Sequence, residues 1–138
     1  MNTLAKKILI VDNEPELTDL LKDALETIGG FLVHTENDPS GAARAARDFA
    51  PDLIILDIKM PGLDGADVAI RLQAEPSLSE TPIVFLTGTV TVPQIVRHGR
   101  QPGGLRLLPK TLPPGALITR LCDILRDHEP RNAAHRAA

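Results

Sequence analysis

The run Leu53-Ile54-Ile55-Leu56-Asp57 constrains this chain more than any other stretch. Four bulky apolar residues follow one another without polar alternation, so neither face of the segment can look into water. The run is too short for a good helix and rich in β-formers. It is bounded by Pro51 and by the turn-rich Met60-Pro61-Gly62-Leu63-Asp64-Gly65. A strand buried on both faces belongs in a parallel sheet covered on both sides. Its terminal carboxylate, Asp57, is costly there unless something compensates it.

Similar runs recur along the chain at Lys7–Val11, Phe31–Thr35, Pro82–Leu86 and Leu105–Leu108. Helical patterns fill the gaps. After Pro15, which a first turn tolerates, Leu17, Leu20, Leu21, Leu25 and Ile28 keep to one face until Gly29-Gly30 stops the helix. Asp38-Pro39 caps an alanine-rich helix running to about Phe49. Asp64 or Gly65 starts a third, with Val68 and Leu72 inward, that ends before Pro76. A weak helix over Val92–His98 breaks at Gly99, and Pro102, Gly103 and Gly104 depress helix propensity further. The last helix is predicted over Pro113–Asp127, with Leu117, Ile118, Leu121, Ile124 and Leu125 on its buried face. Residues 129–138 have no apolar pattern and are expected to form a disordered tail, leaving 1–128 as one domain.

Five strands alternating with five helices predict an α/β fold: a doubly wound, five-stranded parallel sheet, flavodoxin-like, with strand order 2-1-3-4-5. In that order the first and third strands are neighbours at the switch point, where such sheets bind ligands beyond their carboxyl ends. The residues leaving the strand ends are Asp12 and Asn13, Asp57, Thr87 and Lys110. Four strands of the five therefore deliver polar groups to one rim.

Composition narrows the function classes. No apolar run approaches membrane-span length and the N-terminus lacks a signal-like core, so a cytoplasmic protein with no membrane association is expected. The single cysteine, Cys122, rules out an internal disulfide and sits at a core-like spacing. The four histidines are scattered without metal-ligand spacing. Charge is uneven: residues 1–80 hold 15 acidic against 7 basic side chains, residues 81–138 hold 3 against 8.

The ordered set Asp12, Asp57 with Met60-Pro61-Gly62-Leu63-Asp64-Gly65, Thr87-Gly88 and Lys110 resembles the receiver domain of bacterial two-component response regulators, over essentially the whole folded length. The resemblance implies that Asp57 accepts a phosphoryl group from a sensor histidine kinase, a histidine phosphotransfer protein or a small phosphodonor. It implies Mg2+ held by Asp12, Asn13, Asp57 and the main-chain carbonyl of Lys59. Lys110 would pair with a phosphoryl oxygen, and Thr87 would donate a hydrogen bond to another. The chemistry agrees. A carboxylate can attack phosphorus to form an acyl phosphate, and phosphoryl transfer needs mainly alignment and charge neutralisation. Only self-phosphorylation and autodephosphorylation are expected, not turnover of an outside metabolite.

Three departures from the family pattern stand out. Receivers usually place two acidic residues after the first strand, whereas this chain has Asp12-Asn13. The aromatic three positions before the lysine is Leu107, and the proline after it is Thr111. The helix over Val92–His98 is short and broken. These departures support a second reading, a pseudo-receiver that binds proteins without phosphotransfer. A flavin- or nucleotide-binding protein is disfavoured because Asp12-Asn13-Glu14-Pro15-Glu16 repels phosphate unless a metal intervenes.

Asp64 reads as a helix cap, and Glu14 and Glu16 as complements to a helix dipole. Arg97, Arg100 and Arg106 fall on the face receivers use for output and suggest docking of an acidic effector protein. Direct nucleic-acid binding is not expected, since the chain has no Trp or Tyr and no recognition-helix module follows the last helix. A stand-alone receiver is the resulting expectation.

Overall fold

A computed structural model describes residues 5–58, 65–87 and 106–137. Among these, the strands are β1 (Lys7–Val11), β2 (Leu32–Glu36), β3 (Leu53–Asp57), β4 (Ile83–Thr87) and β5 (Arg106–Pro109). They form one parallel sheet in the order β2-β1-β3-β4-β5. The described helices are α1 (Pro15–Thr27), α2 (Ala42–Phe49), α3 (Gly65–Gln73) and α4 (Pro114–Ala137).

Period-two alternation sorts the strand residues into two cores. Leu9, Val11, Ile54, Leu56 and Phe85 face Ala42 and Ala46 of α2 and Val68 and Leu72 of α3. Ile8, Ile10, Leu53, Ile55 and Val84 face Leu25 of α1 and Leu117, Leu121 and Leu125 of α4. Cys122 is half-buried against this second core. β3 is buried at every position, as a central parallel strand must be.

Several strand ends fall one residue later than the sequence pattern predicts, which places Glu36 and Thr87 inside β2 and β4. On α1, Leu20 and Ile28 are not on the buried face: they are 67% and 66% exposed, whereas Thr18 is wholly buried. The inward stripe runs through Thr18, Leu21 and Leu25, a spacing of three and four that hydropathy alone assigns to the leucines. The alanine-rich segment is divided into a 3-10 turn over Pro39–Gly41 followed by α2, and Asp38 caps the turn by accepting from the Ser40 N–H at 3.0 Å. The last helix runs past its expected end at Asp127: α4 continues to Ala137. Arg131, Ala133, Ala134 and Arg136 are good helix formers, and Pro130 does not end the helix. Lys59, the Asp64 cap, Gly88, the Val92–His98 helix, Arg97 and Arg100 lie outside the described residues.

Candidate functional site

Strand register brings the rim residues together. Val11 pairs with Leu56, so the next residues, Asp12 and Asp57, leave adjacent strands side by side. Asp57 pairs in turn with Leu86, and Thr87 pairs with Pro109. Pro109 has no N–H, and the next donor, that of Lys110, bonds the Thr87 carbonyl at 2.8 Å. This pins the exit of β5 to β4 and carries the lysine back over the rim.

The result is a buried charge cluster. Asp12, Asp57 and Thr87 are only 1%, 4% and 8% exposed. Lys110 Nζ lies 3.2 Å from Asp12 Oδ2, 3.2 Å from Asp57 Oδ1 and 3.3 Å from Glu14 Oε1. Burial alone would lower the Lys110 pKa, but the negative charges of Asp12 and Asp57 beside it outweigh that and hold the pKa above 10.5. The lysine therefore stays charged at neutral pH.

Among the described residues, one lysine ammonium stands between the two buried carboxylates. Asp12 Oδ1 accepts from the Glu14 N–H at 3.0 Å, whereas Asp12 Oδ2 is buried without a hydrogen bond despite the nearby ammonium. A buried carboxylate oxygen without a hydrogen bond, in an oxygen-rich niche, fits a small hard cation. Among the described residues no three His, Cys, Asp or Glu side chains gather to hold a metal. A cation here would depend on two carboxylates with neutral oxygens and water, a donor set that suits Mg2+ better than a transition metal. Asn13 follows directly on Asp12 and is half-buried.

The start of α3 presses on the same place. The Gly65 N–H donates to the Ile58 carbonyl at 2.8 Å. A Cβ on Gly65 would strike the Asp57 carbonyl oxygen and lie 2.8 Å from Ile58 Cα. Glycine is therefore required where the helix closes over the acidic strand end.

The departures from the family pattern have structural counterparts. Leu107 packs, half-buried, against the core on the α2–α3 side, and Thr111 is exposed beyond Lys110. Arg106 is half-buried at the start of β5, at the opposite end of that strand from Lys110.

Sequence reasoning missed three participants. Glu14, read as a helix-dipole residue, reaches Lys110. Thr18 and Asn37 form a polar bridge beneath Asp12. Pro15 marked the first turn of the helix, but nothing in the local pattern marked Asn37. A shallow cavity of about 440 Å3 lined by His34, Glu36, Gly41, Arg44, Ala45, Asp48 and Phe49 includes none of the rim residues.

Comparison with known proteins agrees with this fold. The response regulator receiver domain model matches residues 8–122. The DNA-binding response regulator MtrA of Mycolicibacterium smegmatis is 35% identical over 133 residues, covering 96% of this chain and 56% of that protein. The phosphate regulon transcriptional regulatory protein PhoB of Pseudomonas aeruginosa is 32% identical over 127 residues, covering 92% and 55%. The chain thus spans little more than half the length of these relatives. Among solved structures, Vibrio cholerae chemotaxis protein CheY4 superposes with a TM-score of 0.79 at 26% identity, covering 87% of this chain and 98% of that one.

Proposed function

The chain belongs to the family of response regulator receiver domains, and from that premise we propose that Asp57 accepts a phosphoryl group and signals by a change of shape. The donor would be a sensor histidine kinase, a histidine phosphotransfer protein or a small acyl phosphate. The supporting observation is the cluster itself: two adjacent buried carboxylates bridged by Lys110 at 3.2 Å from each.

An Asp57 oxygen attacks phosphorus; an O–P bond forms as the P–N bond of a phosphohistidine breaks, and the histidine nitrogen keeps the electron pair. Lys110, already within ion-pair distance of Asp57, transfers its contact to a phosphoryl oxygen as a point charge. Thr87 donates its hydroxyl to another phosphoryl oxygen, drawing the end of β4 inward. Attack of water on phosphorus later releases phosphate and restores the carboxylate. Proteins of this family generally bind Mg2+. Here it would be held by Asp12, Asp57, Asn13 and the Lys59 carbonyl, and it would neutralise charge on the transferring group. The added group carries about −1.5 to −2 charges, ample to bias a local switch. With Leu107 in place of a ring, that switch works through Thr87 and the segment after it. A face bearing Arg97, Arg100 and Arg106 would dock an acidic partner.

The test is intact-protein mass after incubation with acetyl phosphate or a phosphohistidine donor protein, with and without Mg2+, beside Asp57→Asn. One added phosphoryl group, dependent on Mg2+ and absent from the variant, is expected. No gain from either donor, together with no Mg2+ uptake, favours the pseudo-receiver. Because Asn13 removes a charge from the donor set, Asn13→Asp is expected to tighten Mg2+ binding by about tenfold, read by calorimetry. An unchanged affinity removes Asn13 from the ligand set.

A further inference from the structure

We propose that Asn37, on the loop after β2, is a positioning residue for this site: its side-chain amide sets the Asp12 carboxylate and the Asn13 side chain for a divalent cation. The inference rests on the phosphoacceptor reading above.

Asp12 has four polar handles, and three are fixed from outside. Its N–H donates to the Glu36 carbonyl at 3.1 Å. Its Oδ1 accepts from the Glu14 N–H at 3.0 Å. Its carbonyl accepts from Asn37 Nδ2 at 2.8 Å. The fourth, Oδ2, is the buried oxygen without a hydrogen bond that faces Lys110. The carbonyl is the decisive handle. It belongs to the planar peptide joining Asp12 to Asn13, so holding its oxygen fixes the torsions on either side of that plane. Those torsions set the directions in which both side chains leave the backbone.

Asn37 suits this role because a primary amide has two N–H groups on one nitrogen. Nδ2 also donates to Thr18 Oγ1 at 3.0 Å. Thr18 is wholly buried, and its hydroxyl hydrogen is committed to the Pro15 carbonyl at 3.0 Å. Both neighbours of Nδ2 are therefore acceptors, which determines which end of the amide points inward. Neither an aspartate nor an aliphatic side chain could serve both. The bridge is not needed to start α1, since the Glu14 carbonyl already accepts from the Leu17 and Thr18 N–H groups, each at 3.1 Å. In a site where Asn13 contributes no charge, the aim of the remaining carboxylate matters more, and a fixed peptide plane supplies that aim without a further ligand.

The test is Mg2+ titration of the full chain by isothermal calorimetry, with melting temperatures in parallel. Asn37→Ala removes both donors, and Asn37→Leu removes them while retaining bulk. Each is expected to weaken Mg2+ binding by about tenfold. Thr18→Val removes the lower half of the bridge but leaves the Asn37–Asp12 bond. It is expected to lower the melting temperature while keeping Mg2+ affinity within about twofold of wild type. Wild-type affinity in both Asn37 variants, or equal weakening by Thr18→Val, overturns the proposal. A wild-type chain that takes up no Mg2+ overturns this inference, and with no phosphoryl gain from either donor it overturns the phosphoacceptor reading as well.

Discussion

Two lysine–carboxylate clusters in this molecule make opposite use of the same groups. At the edge of the sheet, Lys22 Nζ lies 3.1 Å from Glu26 Oε2 and donates to the Val33 carbonyl at 2.9 Å. Glu26 Oε2 accepts from the Val33 N–H at 3.2 Å. Charge is balanced one to one, and both ions close backbone groups of edge strand β2 that its neighbour β1 does not reach. At the rim, Lys110 stands among three carboxylates of the described residues, Asp12, Asp57 and the exposed Glu14, and one buried oxygen has no hydrogen bond. A structural ion pair is completed within the protein. The rim cluster keeps one buried carboxylate oxygen, Asp12 Oδ2, without a hydrogen bond.

The comparison breaks most sharply at Lys110. Lys110→Met removes the ammonium that lies 3.2 Å from both Asp12 and Asp57, and removing one partner of a buried pair costs about 3–5 kcal/mol. Urea unfolding in EDTA measures it. Mg2+ should recover part of the loss, because it supplies the missing charge; no recovery would argue against a cation site between these carboxylates. The pH dependence has a definite sign. The folded Lys110 pKa lies above its unfolded value of 10.5, so the stability it contributes is complete below 10.5 and is lost as pH rises through the folded value. Wild type should lose this increment on the alkaline side, and Lys110→Met should not.

Gly65→Ala tests the same rim from the backbone side. The new Cβ meets main-chain atoms of Asp57 and Ile58, which cannot rotate away as a side chain would. Overpacking of this kind costs about 1–3 kcal/mol. The variant should also take up phosphate from acetyl phosphate more slowly, since relief requires moving the Asp57 backbone. Wild-type stability would mean that α3 can shift along its axis without strain.

Much of this arrangement was legible in the sequence, for a definable reason. Apolar runs such as Leu53–Leu56 are periodic signals, and strand order follows from alternation and crossover handedness, so the sheet and the convergence of Asp12, Asp57 and Lys110 at one rim could be anticipated. Single polar residues carry no period. Thr18 rather than Leu20 turns inward, where its hydroxyl meets Asn37 from another loop. Glu14 reaches Lys110 across 96 residues of chain. The continuation of α4 past Pro130 contradicts a local breaker signal, as good helix formers on its far side allow.

The smallest expected effect lies in the balanced cluster and shows whether the contrast is real. Glu26 is held below its usual value of 4.5, first by the hydrogen bond from Lys22 and then by that from the Val33 N–H. Its contribution is present above 4.5 and lost as pH falls through the folded value. Glu26→Gln keeps an oxygen for the Val33 N–H while deleting the charge. It should lower the melting temperature slightly at neutral pH and leave no difference from wild type in strong acid. Because this pair is solvent-exposed, added salt should erase most of the neutral-pH difference, whereas salt should do little for Lys110→Met. Mg2+ is the discriminating additive: it should raise stability at the rim in the wild type and leave the Glu26→Gln difference untouched. If Mg2+ closed the Glu26→Gln gap instead, cation binding would not be peculiar to the unbalanced cluster, and the contrast between the two lysines would fail.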